Sequence, residues 1–268
     1  MKPQLLLLFL FPYFMLAQGF YPLGARSASL ANADVCSGDV WSYCYNPGSS
    51  AKIERPTVGI AYENRFLLKE LQGQALVVAL PLKKGVFSLG AKVYGSTSLR
   101  TVVAGMGYAM KLSDRFFAGV QLNYQALYFE ANYGTKHAVT AEAGLLAVLT
   151  EKWQVGFSVF NIGRATISAT NDDRFATVAR LGSTYKFSKA VQFMLAAEKN
   201  AIAPLNVKVG LEYSLQQRFY VRGGFASNPL QLSFGIGMKH KRFQLDVGSA
   251  YSQYLGWSPH FSLVYQVK

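Results

Sequence analysis

The stretch FFAGVQLNYQALYFE, beginning at Phe116, alternates with period two. Phe116, Ala118, Val120, Leu122, Tyr124, Ala126 and Tyr128 fall on one side, and Gly119, Gln121, Asn123 and Gln125 on the other. Successive side chains of a strand point to opposite faces, whereas a helix would scatter both sets around its axis. The segment must therefore lie between an apolar and a polar surrounding. The same division recurs in LNVKVGLEYSL, where Leu205, Val207, Val209, Leu211 and Tyr213 oppose Asn206, Lys208, Gly210, Glu212 and Ser214. It recurs again in LQLSFGIGMK, where Leu230, Leu232, Phe234, Ile236 and Met238 oppose Gln231, Ser233, Gly235 and Gly237.

From Arg55 onward this pattern resolves into fourteen strands, at 56–64, 74–82, 85–95, 99–111, 115–130, 136–149, 152–163, 174–187, 190–199, 205–214, 217–226, 229–239, 242–252 and 258–267. Tight turns (LKKG, LSDR, TEK, FSKA, LQQ, KHKR) fall at every second junction. Longer links such as RFLLKELQG and RATISATNDD, the longest about ten residues, fill the alternate ones. Short periplasmic turns and longer extracellular loops are the arrangement of outer-membrane barrels, and an even strand count brings both termini to the periplasmic side. The expected fold class is all-β: a transmembrane antiparallel β-barrel in a bacterial outer membrane. A soluble sandwich or propeller also gives many short strands, but it would have to bury the outward aromatic rows against a second sheet.

Composition agrees with a membrane setting. The chain is 51% hydrophobic, 14% aromatic and only 15% charged, yet no segment past the first residues offers the ~18 uninterrupted apolar residues of a membrane helix. The opening MKPQLLLLFLFPYFMLA has one basic residue, an apolar run and a small residue, Ala17, before Gln18, the layout of a secretory signal peptide at 1–17. Residues 18–55 do not alternate and are rich in Gly, Ala and Ser, and 56–268 form the barrel. Fourteen strands enclose a lumen too wide for wall side chains to fill, so 18–55 are expected to plug it. Export also makes an oxidising compartment available, and Cys36 and Cys44 are expected to close a disulfide. In WSYCYNPGS, the turn carrying Trp41, Tyr45, Asn46 and Pro47 is expected either where the plug leaves the lumen for the first strand or as a structural turn with no ligand role. Two sulfurs are too few for a zinc site, and His137, His240 and His260 lie far apart.

The segment GARSASLANADVCSGDVWSYCYNPGSSAKI resembles the start of the FadL-like and PorV/PorQ-like outer-membrane proteins, in which a Gly-Ala-Arg-x-Ala-like stretch precedes an aromatic-x-Asn-Pro-Ala-like turn. FSVFNIGRA, Phe157 to Ala165, is similar to the strand-ending Asn-(Leu/Ile)-Gly of the same families. The chain departs from them at Gly48 and Ser49 and in its cysteine pair. The resemblance implies a plugged outer-membrane barrel with one of two functions. On the PorV/PorQ side it implies a structural or accessory component of an envelope assembly related to type IX secretion. On the FadL side it implies passive transport of small hydrophobic compounds, released through the wall once the plug shifts. Short surface loops favour the first, because a selective transporter builds its capture site from long ones. Gly59, Gly73 and Pro81, read as wall defects, favour the second.

The inward faces carry Glu63, Glu142, Glu198, Glu212 and Asp246 against Lys92, Arg180, Lys208 and Arg222. These are expected to pair with one another and with the plug, since an unpaired buried charge is costly; a polar conduction path is the alternative. The tight turns carry eleven bases, Lys83, Lys84, Lys111, Arg115, Lys152, Lys186, Lys189, Arg218, Lys239, Lys241 and Arg242, against Asp114 and Glu151, and so hold most of the chain's net charge of +13. This basic periplasmic rim suits anionic lipid head groups or an acidic partner, or it forms a solvated boundary. No nucleic-acid-binding motif accompanies the charge. No nucleophile, base and orienting group stand in a recognisable pattern, so neither an enzyme nor a cofactor is expected.

Overall fold

The computed structural model describes residues 23–130, 134–168, 173–201 and 203–267. The expected signal peptide at 1–17, and residues 18–22 of the expected plug, lie outside the described residues. Fourteen antiparallel strands close into a barrel. In chain order they are β1 (Thr57–Asn64), β2 (Gln72–Leu82), β3 (Gly85–Gly95), β4 (Leu99–Lys111), β5 (Phe116–Phe129), β6 (Thr135–Val148) and β7 (Trp153–Phe160), then β10 (Val178–Lys186), β11 (Val191–Asn200), β12 (Asn206–Leu215), β13 (Phe219–Ser227), β14 (Leu230–His240), β15 (Phe243–Ser252) and β16 (Gly256–Gln266). The connection from β7 to β10 carries a separate two-stranded ladder, β8 (Thr166–Ser168) with β9 (Asp173–Arg174). The barrel closes where β1 pairs with β16, Thr57 opposite Gln266 and Glu63 opposite His260.

The period-two pattern becomes an exposed apolar exterior. Val120, Leu122 and Tyr124 of β5 stand 50% or more exposed, while Gln121, Asn123 and Gln125, alternating with them, are buried. Among the described residues no helix is long and apolar enough to cross a membrane. Closure pairs every strand on both edges, which is what lets a sheet sit in hydrocarbon.

Strand ends depart from expectation mainly around the β7–β10 connection. FSVFNIGRA stops pairing at Phe160 because Asn161 turns left-handed (φ 56°). Its buried side chain then fastens the connection, donating to Phe175 O (2.7 Å) and accepting from Ala165 N (2.9 Å). Residues 161–177 thus form the longest link, longer than the ten residues expected, and Phe175 and Ala176 are both buried within it. The wall-defect reading of Gly59, Gly73 and Pro81 is also corrected. β2 pairs with β1 from Gln72 to Ala79 and with β3 from Gly73 to Leu82 without a break. Gly59 instead leaves room for Val40 and Trp41, and Gly73 for Glu63.

Candidate functional site

Leu23 to Ile53 form two short helices, α1 (Ala25–Ser29) and α2 (Ser42–Tyr45), and a 3-10 turn over Pro47–Lys52, and nearly all of these residues are buried. The segment touches inward-facing wall residues around the circumference. Ser29 lies at Gly235 and Gly248, Leu30 at Gly210 and Gly224, and Val35 at Gly182; Tyr43 lies at Gly90, and Asn46 with Pro47 at Gly144. A methyl group added at Gly90, Gly144, Gly182, Gly224 or Gly235 would overlap the segment. The wall glycines therefore form a cradle, and close packing there leaves no slack for larger side chains.

The two sides of this interior differ in chemistry. On one side Leu23, Val40, Trp41, Tyr43, Cys44 and Ile53 pack against Ala61, Ala75, Val77, Ala79, Val86 and Val264 of β1, β2, β3 and β16. On the other, Arg26 joins three carboxylates: Nη1 meets Asp34 (2.6 Å) and Asp39 (3.1 Å), and Nε meets Glu212 of β12 (3.1 Å). Arg222 bonds the same Glu212 and, at 2.7 Å, Asp246. Burial alone would pull the Arg26 guanidinium down, but Asp34, Glu212, Asp39 and Asp246 hold it well above the ordinary arginine value. Burial pushes the Asp34 carboxyl up to about 6, although Arg26 draws it down.

The remaining inward charges form smaller groups. Glu198 accepts from Arg180 (3.1 Å) and Lys208 (2.9 Å), and Arg180 also donates to the carbonyl of Tyr45 (2.6 Å). Glu142 stands 3.9 Å from Arg180. Lys92 lies 5.8 Å from the centre of the Tyr43 ring. Glu63 faces Arg65 (2.9 Å) and His260 (3.3 Å). Arg26, Asp34, Asp39 and Arg65 carry no signal in the strand alternation, and His260, set aside above as a metal ligand, instead faces Glu63. A lone arginine among small residues in GARSAS was the available signal, because a buried guanidinium requires acceptors.

The Asn46–Pro47 turn of WSYCYNPGS opens the last stretch of the segment, a 3-10 turn over Pro47–Lys52 that precedes its exit at Glu54. Asn46 caps the 3-10 turn, its Oδ1 accepting from Gly48 N (3.0 Å), while Nδ2 donates to Val35 O and Leu145 O, both at 2.9 Å. Pro47 occupies the first position of that turn, where its missing N–H costs nothing. Trp41 packs under Gly59, and the Tyr45 hydroxyl donates to Asn32 (2.7 Å). The chain leaves the interior only at Glu54 and Arg55, which are exposed.

The expected disulfide is not formed: Cys36 and Cys44 are both free and buried. They face different walls, Cys36 Sγ turned toward the carbonyls of Gly182 (3.5 Å) and Gln154 (3.8 Å), Cys44 packed in the apolar cluster with Trp41. Eight residues of spacing carry no information on that direction. Burial pushes the Cys36 thiol up to about 12 and raises Cys44 as well, so little reactive thiolate is present in the folded state. Two thiols are expected to titrate in the denatured, unreduced protein and none promptly in the folded barrel. A count of zero after denaturation would restore the disulfide.

All eleven rim bases fall on or beside the six tight turns, at the barrel end that also holds Pro56 and Val267, whose backbones are bonded at 2.7 Å. Among the described residues no cluster of three or more His, Cys, Asp or Glu is placed to hold a metal ion.

A closed fourteen-stranded barrel with an apolar exterior is an outer-membrane architecture, and its similarities lie among channels. The CymD monoaromatic hydrocarbon channel superposes with a TM-score of 0.67 at 12% identity, over 92% of this chain and 98% of that one. The Ralstonia pickettii toluene transporter TbuX gives 0.67 at 11%, over 93% and 99%. A Pseudomonas aeruginosa FadL homologue gives 0.61 at 12%, over 91% and 98%. These likenesses are of fold. No protein-family model matches the chain, and no curated protein matches it in sequence. The PorV/PorQ reading draws no support from them.

Proposed function

We propose that the protein is an outer-membrane channel for small hydrophobic compounds, with residues 18–55 as the plug that closes it, 56–268 as the barrel and 1–17 as a signal peptide. The observation that carries the reading is the two-sided interior. Ala61, Ala75, Val77, Ala79, Val86 and Val264 make an apolar track along the inner wall, covered by Val40, Trp41 and their neighbours. A lumen that passes ions or sugars is polar throughout. Displacing the segment would expose the apolar track to a solute, while the ionic side offers nothing that such a solute would bind. The hydrocarbon channels that share the fold support the same class of cargo, although fold alone does not establish function.

The accessory reading rested on short loops and on the PorV/PorQ resemblance; residues 161–177 span a longer link, and the structural neighbours lend the resemblance no support. Uptake of a labelled monoaromatic hydrocarbon and a labelled long-chain fatty acid tests the proposal, in cells whose outer membrane holds this protein as its sole hydrophobic-compound channel. Uptake of at least one is expected to run several-fold faster than in cells lacking the protein. Equal rates for both compounds, with the barrel assembled in the membrane, would discard the reading.

A further inference from the structure

We infer that the turn end of the barrel is a binding collar for the head groups of anionic phospholipids in the periplasmic leaflet. The inference rests on the outer-membrane placement but not on any transported compound. The bases do not simply project into water beyond the strands; they follow directly on a girdle of lipid-facing aromatics. Phe116, Trp153, Tyr185, Phe187, Phe219 and Phe243 all stand exposed on the outer face within a residue or two of the turns. Aromatic girdles mark the membrane–water interface. Cations placed immediately past such a girdle lie at the depth of lipid phosphates, where long lysine and arginine side chains reach the head groups while their stems stay in the apolar zone.

The charge is one-sided as well as well placed. The six turns carry eleven bases against Asp114 and Glu151, the exposed Glu54 and Arg55 beside them cancel, and Asp114 is already engaged by Lys111 at 2.7 Å. The bases recur at all six turns, so the collar surrounds the barrel instead of forming one patch. A folded protein partner would cover part of a circumference, whereas a leaflet contacts all of it. Short turns place this end in the periplasm, where phospholipid is the lipid in contact.

Trp153 is a built-in reporter. Around it, Val148 N donates to Arg115 O and Lys186 N to Lys152 O, which brings three collar bases into its neighbourhood. Trp257, lipid-facing on β16, reports from the opposite end, and Trp41 is shielded inside as a constant background. The variants Trp257→Phe and Trp153→Phe, reconstituted in vesicles of brominated phosphatidylglycerol mixed with phosphatidylcholine and the converse, separate the two ends by fluorescence quenching. At low salt the Trp153 reporter is expected to show phosphatidylglycerol preferred by roughly threefold to tenfold, falling toward parity as salt shortens the Debye length. The Trp257 reporter should show parity. Adding Arg115→Gln, Lys152→Gln, Lys186→Gln and Lys189→Gln should bring Trp153 to parity.

Parity at Trp153 in the unmodified collar, or a preference that survives the four substitutions, overturns the inference and leaves an acidic protein or solvent as the collar's neighbour. The leaflet is read separately with Lys84→Cys, since both native cysteines are buried. That thiol should resist an impermeant reagent on whole cells and react after lysis. Reaction on whole cells would point the collar at lipopolysaccharide and overturn the phospholipid assignment. Quenching measures contact without transport, so a failed uptake assay leaves this result intact.

Discussion

Replacing Arg26 by methionine is expected to release the N-terminal segment while the barrel stays closed. Arg26 is where the segment's own loop and the wall are joined, through Asp34, Asp39 and Ser37 on one side and Glu212 on the other. Methionine keeps much of the stem's bulk but leaves Asp34 with only Ser27 at 2.8 Å. Removing one partner of a buried ion pair costs about 3–5 kcal/mol, because the remaining charge is left uncompensated. The strand ladder makes none of these bonds, so the cost falls on the segment. Alkylation of Cys36 and Cys44 in the folded barrel reads the opening directly, and it should accelerate by roughly a hundredfold or more, as a local opening of that size would allow. Gel mobility of the unheated protein reports that the barrel is intact. Arg26→Lys should fall between, since an ammonium keeps the charge but not the fork that reaches several acceptors at once. Adding Asp34→Asn to Arg26→Met should slow the reaction again by removing a stranded charge. Alkylation as slow as in the parent protein would show that the ionic side does not hold the segment.

The barrel was legible because alternation is a local signal repeated fourteen times: in FFAGVQLNYQALYFE the parity of each residue already states its face. Where alternation misled, the cause was equally local. The residues after Asp173 alternate enough to extend a strand backward, yet Phe175 and Ala176 are buried side by side in a folded connection that Asn161 ties down. The interior was less legible, because its contacts join residues far apart in sequence. Arg26 and Glu212 are 186 residues apart, and no spacing rule connects them. Cross-strand register would have paired Glu63 with His260, but it follows only once β1 is known to close on β16. The glycines show the limit most clearly. Their parity assigned Gly119, Gly210 and Gly235 to the inner face, but glycine has no side chain to indicate a neighbour. What they accommodate is a segment whose path the sequence does not encode locally.

That cradle leads to the last expected result, which uses two adjacent glycines of β13. Gly224 faces inward, and a Cβ there would lie 2.5 Å from Ala31 N and from the carbonyl carbon of Leu30. Gly223 faces outward, where a Cβ would meet nothing nearer than Ser233 O at 4.0 Å. Both lie in an unbroken ladder, opposite Gly210 and Leu211 of β12, so strand propensity affects the two alike. Valine favours a pleated strand, and Gly223→Val is therefore expected to leave the barrel as stable as the parent or slightly more so. Gly224→Val must push against backbone that has no rotamer to change, and overpacking of this kind costs about 1–3 kcal/mol even where neighbours can adjust. The barrel wall is held by a continuous backbone ladder on both edges of every strand, while Leu30 and Ala31 belong to a segment joined to it by packing and a few separate side-chain bonds, so the segment should yield first. Limited proteolysis between Leu23 and Lys52 in folded Gly224→Val is expected to be many times faster than in Gly223→Val, with the β-barrel fragment surviving in both. If the two variants were cut at the same rate, close contact at the wall glycines would not be what seats the segment.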